Sequence, residues 1–240
     1  MRAARFSALV LGALFLAISP ARAACRQALA LGLDVSGSVD SAEYQLQMRG
    51  LSNALQHPDV VAALLARPAA PVEIAVFEWS GETYQRLLVS WTAITDETAL
   101  ASVSAMLAQN ARRPAPPVTA LGIALGYGIS LLDQRPDCWK RTLDISGDGR
   151  NNFGPRPEHV RQELRATGIT VNALVIGADG ADGDGTQGNG IGELSSYFRA
   201  NVIFGPDAFV ETALGFADYE AAMVRKLKRE LESVAVSALH

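Results

Sequence analysis

The chain has 240 residues, of which 49% are hydrophobic and 19% charged, and its formal net charge is −4. The apolar fraction excludes an intrinsically disordered protein, and the length suits a single α/β domain with a sizeable core. The acidic balance argues against a nucleic-acid-binding protein, and no apolar run reaches the roughly 18 residues that a membrane-spanning helix needs.

The first 23 residues have the pattern of a signal peptide. Arginines near the start form a short positive region, and the run Phe6–Ile18 is almost wholly apolar. Ala21-Arg22-Ala23 then supplies the small-x-small pattern that a signal peptidase accepts. We expect cleavage after Ala23 and export of a domain of residues 24–240 to the periplasm or the medium. An uncleaved anchor is the alternative, but the apolar stretch is too short for it.

Six segments have the composition of β-strands, and several are continuous runs of Val, Ile and Leu, as in strands buried on both faces. A four-residue connection between the second and the third predicts an antiparallel hairpin. The candidate strands are Ala28–Asp34, Val72–Trp79, Tyr84–Trp91, Lys140–Ser146, Ile169–Gly177 and Asn201–Phe204.

Helical patterns lie between these strands. Asp40 and Glu43 form a capping box that predicts a helix to about Gln56. A long final helix is predicted from apolar residues at helical spacing between Val210 and Val234. The basic cluster of this helix is interpreted as a solvated face, with a partner surface as the alternative. The other predicted helices are Asp96–Gln109, Thr119–Asp133 and Glu158–Thr167, and the basic cluster is Arg225-Lys226-Lys228-Arg229.

Alternating strands and helices predict a three-layer, doubly wound α/β fold. Its sheet is expected to be mostly parallel, with one antiparallel edge strand and helices on both faces. Ligands bind such sheets outside the carboxyl ends of the strands, where the strand order reverses. The loops that follow the strands are therefore the candidate sites.

The two cysteines have matching positions before two of the strands. Cys25 lies nine residues before Asp34, and Cys138 lies ten residues before Asp148. If these aspartates end neighbouring parallel strands, the cysteines meet at the opposite edge of the sheet. Because an oxidising compartment allows them to pair, we expect a Cys25–Cys138 disulfide, with two free buried thiols as the alternative.

The loop after the first strand, Asp34-Val35-Ser36-Gly37-Ser38, carries one carboxylate and two hydroxyls. Their spacing of two in an extended segment directs all three oxygens to the same side. Hard oxygen ligands without His or thiolate suit Mg²⁺ or Mn²⁺ rather than zinc. The alternative is an ordinary turn whose hydroxyls cap a helix.

Two further loops carry oxygen donors: Thr119 opens a helix, and Ser146-Gly147-Asp148-Gly149 follows the fourth strand. Together with the first loop they resemble the von Willebrand factor A domain and its metal-ion-dependent adhesion site, whose pattern is D-x-S-x-S, a Thr before a central helix, and Asp-Gly after the fourth strand. More narrowly, the chain resembles a bacterial group of exported A-type domains of unknown function, through Leu33–Val39, Thr142–Asn152 and Asn201–Val210.

The resemblance implies that five residues form the direct or water-mediated shell of a Mg²⁺ or Mn²⁺ ion. They are Asp34, Ser36, Ser38, Thr119 and Asp148. Asp144 imitates the first position in Asp144-Ile145-Ser146-Gly147, but it lies four residues upstream of Asp148 in the strand, roughly 13 Å away. As a buried carboxylate, Asp144 instead needs a hydrogen-bonding or cationic partner.

Such a site favours binding over catalysis. Two aspartates balance the charge of a divalent ion, so an open coordination position attracts another carboxylate. The family's usual mode of adhesion is coordination of an acidic side chain of a partner, so we expect a metal-dependent protein-binding module whose partner offers Glu or Asp. The alternatives are a Mg²⁺-dependent hydrolase or phosphatase with Asp34 as nucleophile, and a structural or assembly domain without metal.

The loop 178–190 is rich in Asp and Gly. Asp182, Asp184 and Glu193 match three positions of a calcium-binding EF-hand loop, but Gln187 occupies the position where the turn needs Gly. We therefore interpret the segment as a flexible acidic loop near the strand ends.

Overall fold

A computed structural model describes residues 25–163, 167–177 and 187–237 of the chain. The predicted signal peptide, residues 164–166 of the helix predicted to end at Thr167, and most of the acidic loop 178–190 lie outside these ranges. The last four residues of that loop belong to a helix that begins at Gln187.

Six strands form one sheet in the order β3-β2-β1-β4-β5-β6. Neighbouring strands are parallel except for the hairpin of β2 and the edge strand β3, which confirms the predicted α/β fold class. The strand order reverses between β1 and β4, so the crevice expected to bind ligands lies at their carboxyl ends. The strands are β1 (Gln27–Asp34), β2 (Val72–Trp79), β3 (Gln85–Ile94), β4 (Lys140–Gly147), β5 (Ile169–Ile176) and β6 (Val210–Ala213).

Helices cover both faces of the sheet, and the alternation of side chains along β1 separates two cores. Leu29, Leu31 and Leu33 pack with α1, α3 and α7, whereas Ala28 and Ala30 pack with α4 and α6. Helices α2 and α6 are absent from the sequence-based assignment. The helices are α1 (Ser41–Gln56), α2 (Pro58–Leu65), α3 (Glu97–Ala108), α4 (Leu121–Leu132), α5 (Pro157–Glu163), α6 (Gln187–Asn201) and α7 (Tyr219–Ser237).

The capping box at the start of α1 is present. The side chain of Asp40 accepts hydrogen bonds from the backbone N–H groups of Ala42 and Glu43, and the Glu43 carboxylate accepts one from the Asp40 N–H. The cap therefore fixes where the loop after β1 ends and α1 begins.

The predicted sixth strand, Asn201–Phe204, is wrong. Asn201 ends α6, and Phe204 forms only an isolated antiparallel bridge to Val171. The sixth strand is Val210–Ala213, so the final helix does not start at Val210. It starts at Tyr219 after a short 3₁₀ turn, because pairing with the edge of β5 takes up the segment that has helical spacing in the sequence.

The basic cluster in α7 is only partly a solvated face, because Lys226 is completely buried. Its Nζ lies 2.8 Å from Asp144 Oδ1 and 2.7 Å from Glu230 Oε1. Asn172 donates a hydrogen bond to the same Glu230 oxygen at 2.8 Å. Lys226 is the cationic partner that the buried Asp144 requires, and the pair fixes α7 against the middle of β4.

Cys25 and Cys138 form a disulfide at the amino ends of β1 and β4, with their Cα atoms 4.5 Å apart. The expected pairing is therefore present, at the end of the two central strands that is opposite the candidate site. In the described ranges, no helix is both long and apolar enough to cross a membrane.

Candidate metal centre

The candidate site lies where β1 and β4 end side by side. Leu33 pairs with Ser146 in the parallel register, so the chain leaves both strands at the same level. The loop after β1 carries Asp34, Ser36 and Ser38, and the loop after β4 carries Asp148. Adjacent parallel strands thus bring together two loops that are more than 100 residues apart in the sequence.

Asp34 is the buried acid of the site, with 1% of its surface exposed. One carboxylate oxygen, Oδ1, accepts a hydrogen bond from the Ser36 N–H at 2.8 Å. The other, Oδ2, is buried and has no hydrogen-bond partner in the described structure. A Cβ at Gly147 would lie 3.3 Å from this oxygen, so the glycine keeps the space beside it open. A buried carboxylate oxygen of this kind needs a proton or a cation.

The other four predicted residues surround Asp34 through a chain of short oxygen contacts. Thr119 Oγ1 donates to Ser36 Oγ at 3.3 Å, and the hydroxyls of Ser36 and Ser38 are 3.2 Å apart. Ser38 donates to Asp148 Oδ1 at 2.7 Å. The structure therefore brings all five predicted residues into one cluster, with Asp34, Ser36 and Thr119 buried and Ser38 exposed.

Two asparagines after β4 position Thr119. The Thr119 N–H donates to Asn152 Oδ1 at 2.8 Å, and the Asn152 N–H donates to the Thr119 carbonyl at 3.0 Å. Asn151 Oδ1 accepts from the Gly122 N–H at 3.2 Å, in the first turn of α4. These bonds fix the start of α4 against the loop that carries Asp148. The sequence reveals this pair only as two polar residues after a strand.

Arg112 supports the loop after β1 from the other side. Its guanidinium donates to the carbonyls of Val35 and Val39, at 3.3 and 2.7 Å. Val35 lies between Asp34 and Ser36, and Val39 follows Ser38 directly. No sequence signal identifies this arginine, since it lies in a proline-rich connection whose path over the domain is a tertiary feature.

The electrostatics of the cluster favour a cation. Burial raises the pKa of Asp34 to about 8, and the nearby charge of Asp148 adds to the effect. Burial also raises the pKa of Asp148 above its usual value. In the described part of the chain, neither carboxylate has an ion-pair partner. The residues fit a divalent ion, which would supply the missing charge to a set of hard oxygen donors.

A second group with metal-binding residue types lies at the amino ends of the central strands, opposite the candidate site. Cys25, Cys138 and Glu73 are close enough there for one ion to contact all three. Because the two sulfurs are bonded to each other, they offer no thiolate ligand. The group is therefore a disulfide next to a carboxylate, and the oxygen cluster is the better candidate for a metal site.

Comparisons with known proteins agree with the fold. A family model described as Protein of unknown function (DUF1194) matches residues 24–235. No curated protein matches the sequence. Solved structures with the von Willebrand factor A fold match at low sequence identity, and identities this low show a shared fold only.

Three of these structures illustrate the range. One is proximal thread matrix protein 1 from the mussel byssus, in a form with a zinc-occupied metal-ion-dependent adhesion site (MIDAS) motif. It has a TM-score of 0.58 at 16% identity, covering 87% of this chain and 46% of that one. The pilus adhesin SpaC of Lactobacillus rhamnosus GG has a TM-score of 0.61 at 14% identity, covering 88% of this chain and 31% of that one. An aerotolerance-related membrane protein of Bacteroides fragilis has a TM-score of 0.53 at 13% identity, covering 86% and 98%. The chain thus spans less than half of the first two.

Proposed function

The chain belongs to the family described as Protein of unknown function (DUF1194), and from that premise we propose a function on the chemistry of its site. The protein is an exported binding module that depends on Mg²⁺ or Mn²⁺. Asp34, Ser36, Ser38, Thr119 and Asp148 hold the ion, and the ion binds a Glu or Asp side chain of a partner protein.

The observation that carries this proposal is the Oδ2 atom of Asp34, which is buried in a cluster of oxygen donors and has no hydrogen-bond partner among the described residues. Burying a carboxylate oxygen without a partner is costly, and a cation bound there removes the cost. The donor set contains carboxylates and hydroxyls only, which suits Mg²⁺ and Mn²⁺. Zinc occupies the MIDAS motif in one form of the mussel matrix protein, so zinc belongs among the metals to be tested.

The exposure of the site supports binding of a partner rather than a closed structural ion. Ser38 and Gly37 are exposed and Asp148 is partly exposed, whereas Asp34 lies below them. An ion held by two carboxylates and neutral hydroxyls has no excess negative charge around it, and a further carboxylate is then a favoured ligand. The bound ion would supply the electrophilic centre, and the hydroxyls of Ser36, Ser38 and Thr119 would help to hold it.

The location proposed for the protein is the periplasm or the extracellular space. The N-terminal sequence pattern supports export, and a disulfide is typical of proteins in oxidising compartments. Two of the structural neighbours are described as a byssus matrix protein and a pilus adhesin, which supports a role in adhesion or assembly rather than in catalysis.

Isothermal titration calorimetry of the purified protein with Mg²⁺, Mn²⁺ and Zn²⁺ tests the site. We expect saturable binding that is lost in Asp34→Ala. The matched control is Asp133→Ala, because Asp133 is an exposed acid at the far end of α4, 3.6 Å from Arg141. Binding that survives in Asp34→Ala, or that is absent from the folded wild-type protein, contradicts the metal site and favours a structural domain.

Hydrolysis of p-nitrophenyl phosphate provides the test against an enzyme. We expect no phosphate release that depends on Asp34. Release that requires both Mg²⁺ and Asp34 would instead favour a hydrolase.

A further inference from the structure

A cavity of about 390 Å³ lies between α1 and the segment that follows α3. Ser41, Gln45 and Arg49 line it along α1, and Asn110 and Arg112 line the opposite wall. We call this cavity the α1 groove. Its volume is in the range of pockets that bind small ligands or single side chains.

The α1 groove is basic, because Arg49 and Arg112 line it together with seven uncharged residues. Arg49 donates only to the carbonyl and the side-chain oxygen of Gln45, at 3.3 and 3.4 Å. Arg112 donates to backbone carbonyls, and its Nε is buried without a hydrogen-bond partner in the described structure. Neither arginine forms an ion pair with a described residue. Two guanidinium groups thus share one cavity, and no described residue supplies a counter-charge to either.

Arg112 connects the α1 groove to the loop of the candidate metal centre. This side chain lines the groove and also donates to the carbonyls of Val35 and Val39. Those carbonyls belong to the loop that carries Ser36 and Ser38. A ligand in the groove therefore lies beside the loop that would hold the metal.

We propose that the α1 groove binds a second acidic side chain of the same partner segment whose first acid coordinates the metal. This inference rests on the proposed function for the first contact. The partner segment is an acidic peptide with at least two Glu or Asp residues. A guanidinium presents a planar fork of donors that matches a carboxylate, so Arg49 and Arg112 supply the recognition. Tyr44 and Met48 are almost completely buried and form the inner wall of the groove.

The charge of the protein favours this occupant over a nucleic acid. A polyanion needs an extended basic face, whereas the groove offers two arginines on a chain with a net charge of −4. The two arginines still attract a nearby carboxylate despite the net charge of the chain, because at about 0.1 M salt charges closer than about 10 Å are only partly screened.

The test is fluorescence anisotropy of a fluorescein-labelled hexaglutamate peptide, with a hexaglutamine peptide carrying the same label as the reference. Arg49→Gln is the informative variant, because Arg49 is exposed and its hydrogen bonds to described residues go only to Gln45 in its own helix. Arg112 is a poorer choice, since its loss also frees the loop after β1. Arg199→Gln is the matched control: Arg199 is exposed in the last turn of α6, at the far end of the sheet.

In Mg²⁺ we expect Arg49→Gln to weaken hexaglutamate binding about tenfold, the loss of one charge-assisted contact, while Arg199→Gln leaves it unchanged. In EDTA the weaker residual binding of the wild-type protein should show the same dependence on Arg49. Unchanged affinity in Arg49→Gln, or no hexaglutamate binding by the wild-type protein, overturns the groove proposal.

Asp34→Ala separates the two proposals. If binding is lost in Asp34→Ala and retained in Arg49→Gln, the metal contact stands and the groove fails. If binding depends on Arg49 but is the same in Asp34→Ala and with EDTA, the groove binds acidic peptides and the proposed metal-dependent function fails.

Discussion

Replacement of the buried Lys226 by methionine is expected to destabilise the protein strongly. Methionine has a similar length but no charge, so the variant takes the Lys226 ammonium away from Asp144 and from Glu230, both of which are buried. Removing one partner of a buried ion pair typically costs about 3–5 kcal/mol, because the remaining charge has lost its solvent and gained nothing. We expect a loss of this size at pH 8 in urea unfolding followed by circular dichroism.

The loss should shrink as the pH falls. Burial raises the pKa of Asp144 to about 7 in the folded protein, above its ordinary value of 3.8, although Lys226 opposes the shift. A carboxyl with a raised pKa contributes stability that is complete below its unfolded pKa and is lost as the pH rises through its folded pKa. Without Lys226 the folded pKa rises further. Over the pH range in which Asp144 is protonated in the folded variant but ionised in the folded wild-type protein, the difference in unfolding free energy between the two proteins therefore shrinks by about 1.4 kcal/mol for each unit that the pH falls.

Two further variants make this test decisive. Lys228→Met removes an exposed lysine of the same helix, which pairs with Asp59 at the surface, and should change stability far less. The variant Lys226→Met/Asp144→Asn/Glu230→Gln removes all three charges together and should recover most of the loss. The reasoning is refuted if Lys226→Met is no less stable than Lys228→Met at pH 8, or if its loss is the same at pH 5.

Three other predictions concern the site and its support. Cys25→Ala/Cys138→Ala opens a covalent loop between residues 113 apart, so chemical denaturation should show a loss of up to about 5 kcal/mol, and a loss below about 1 kcal/mol would contradict the loop-entropy argument. Asp34→Asn removes a carboxylate whose ionised form is disfavoured by burial and by the charge of Asp148, so in EDTA we expect a higher melting temperature than that of the wild-type protein, with no further rise on adding Mg²⁺. A variant that melts below the wild-type protein in EDTA contradicts this reasoning. Gly122→Ala places a Cβ 2.0 Å from the Pro155 carbonyl oxygen at the start of α4, so we expect weaker Mg²⁺ binding in calorimetry. Gly126→Ala meets open space in the same helix and should stabilise the helix by up to about 1 kcal/mol. Equal effects of the two changes on Mg²⁺ binding would show that the packing at Gly122 does not matter.

The sequence predicts the fold class and the meeting of the loops after β1 and β4 because both follow from local patterns, whereas Thr119 enters the candidate site only through the family resemblance. Buried strands have continuous apolar runs, and the polar residues of the candidate site come directly after two of them. Adjacent parallel strands then bring Asp34 and Asp148 together, and the same register brings Cys25 and Cys138 together at the other end. Neither result depends on the details of side-chain packing.

The errors occur where tertiary contacts override local spacing. Val210–Ala213 continues the helical spacing of α7 in the sequence, but the free edge of β5 turns it into a strand. Lys226 lies in a run of basic residues, and only the fold reveals that it points at Asp144 rather than at the solvent. The sequence shows that Asp144 needs a partner, yet the partner is 82 residues away, on an element that packs across the sheet.

The disulfide has a mechanical consequence for the proposed function, in which a partner is held at the opposite end of β1 and β4. Asp34 and Asp148 stand at or just beyond the carboxyl ends of β1 and β4, and Cys25 and Cys138 join these strands near their amino ends. Tension applied at the aspartates runs lengthwise along two strands, each hydrogen-bonded to a neighbour on both edges. Such a load shears many backbone hydrogen bonds together instead of opening them one after another. The disulfide also prevents β1 and β4 from sliding past each other at their amino ends. Under the proposed function, the load from a bound partner is therefore shared by the central strands of the sheet.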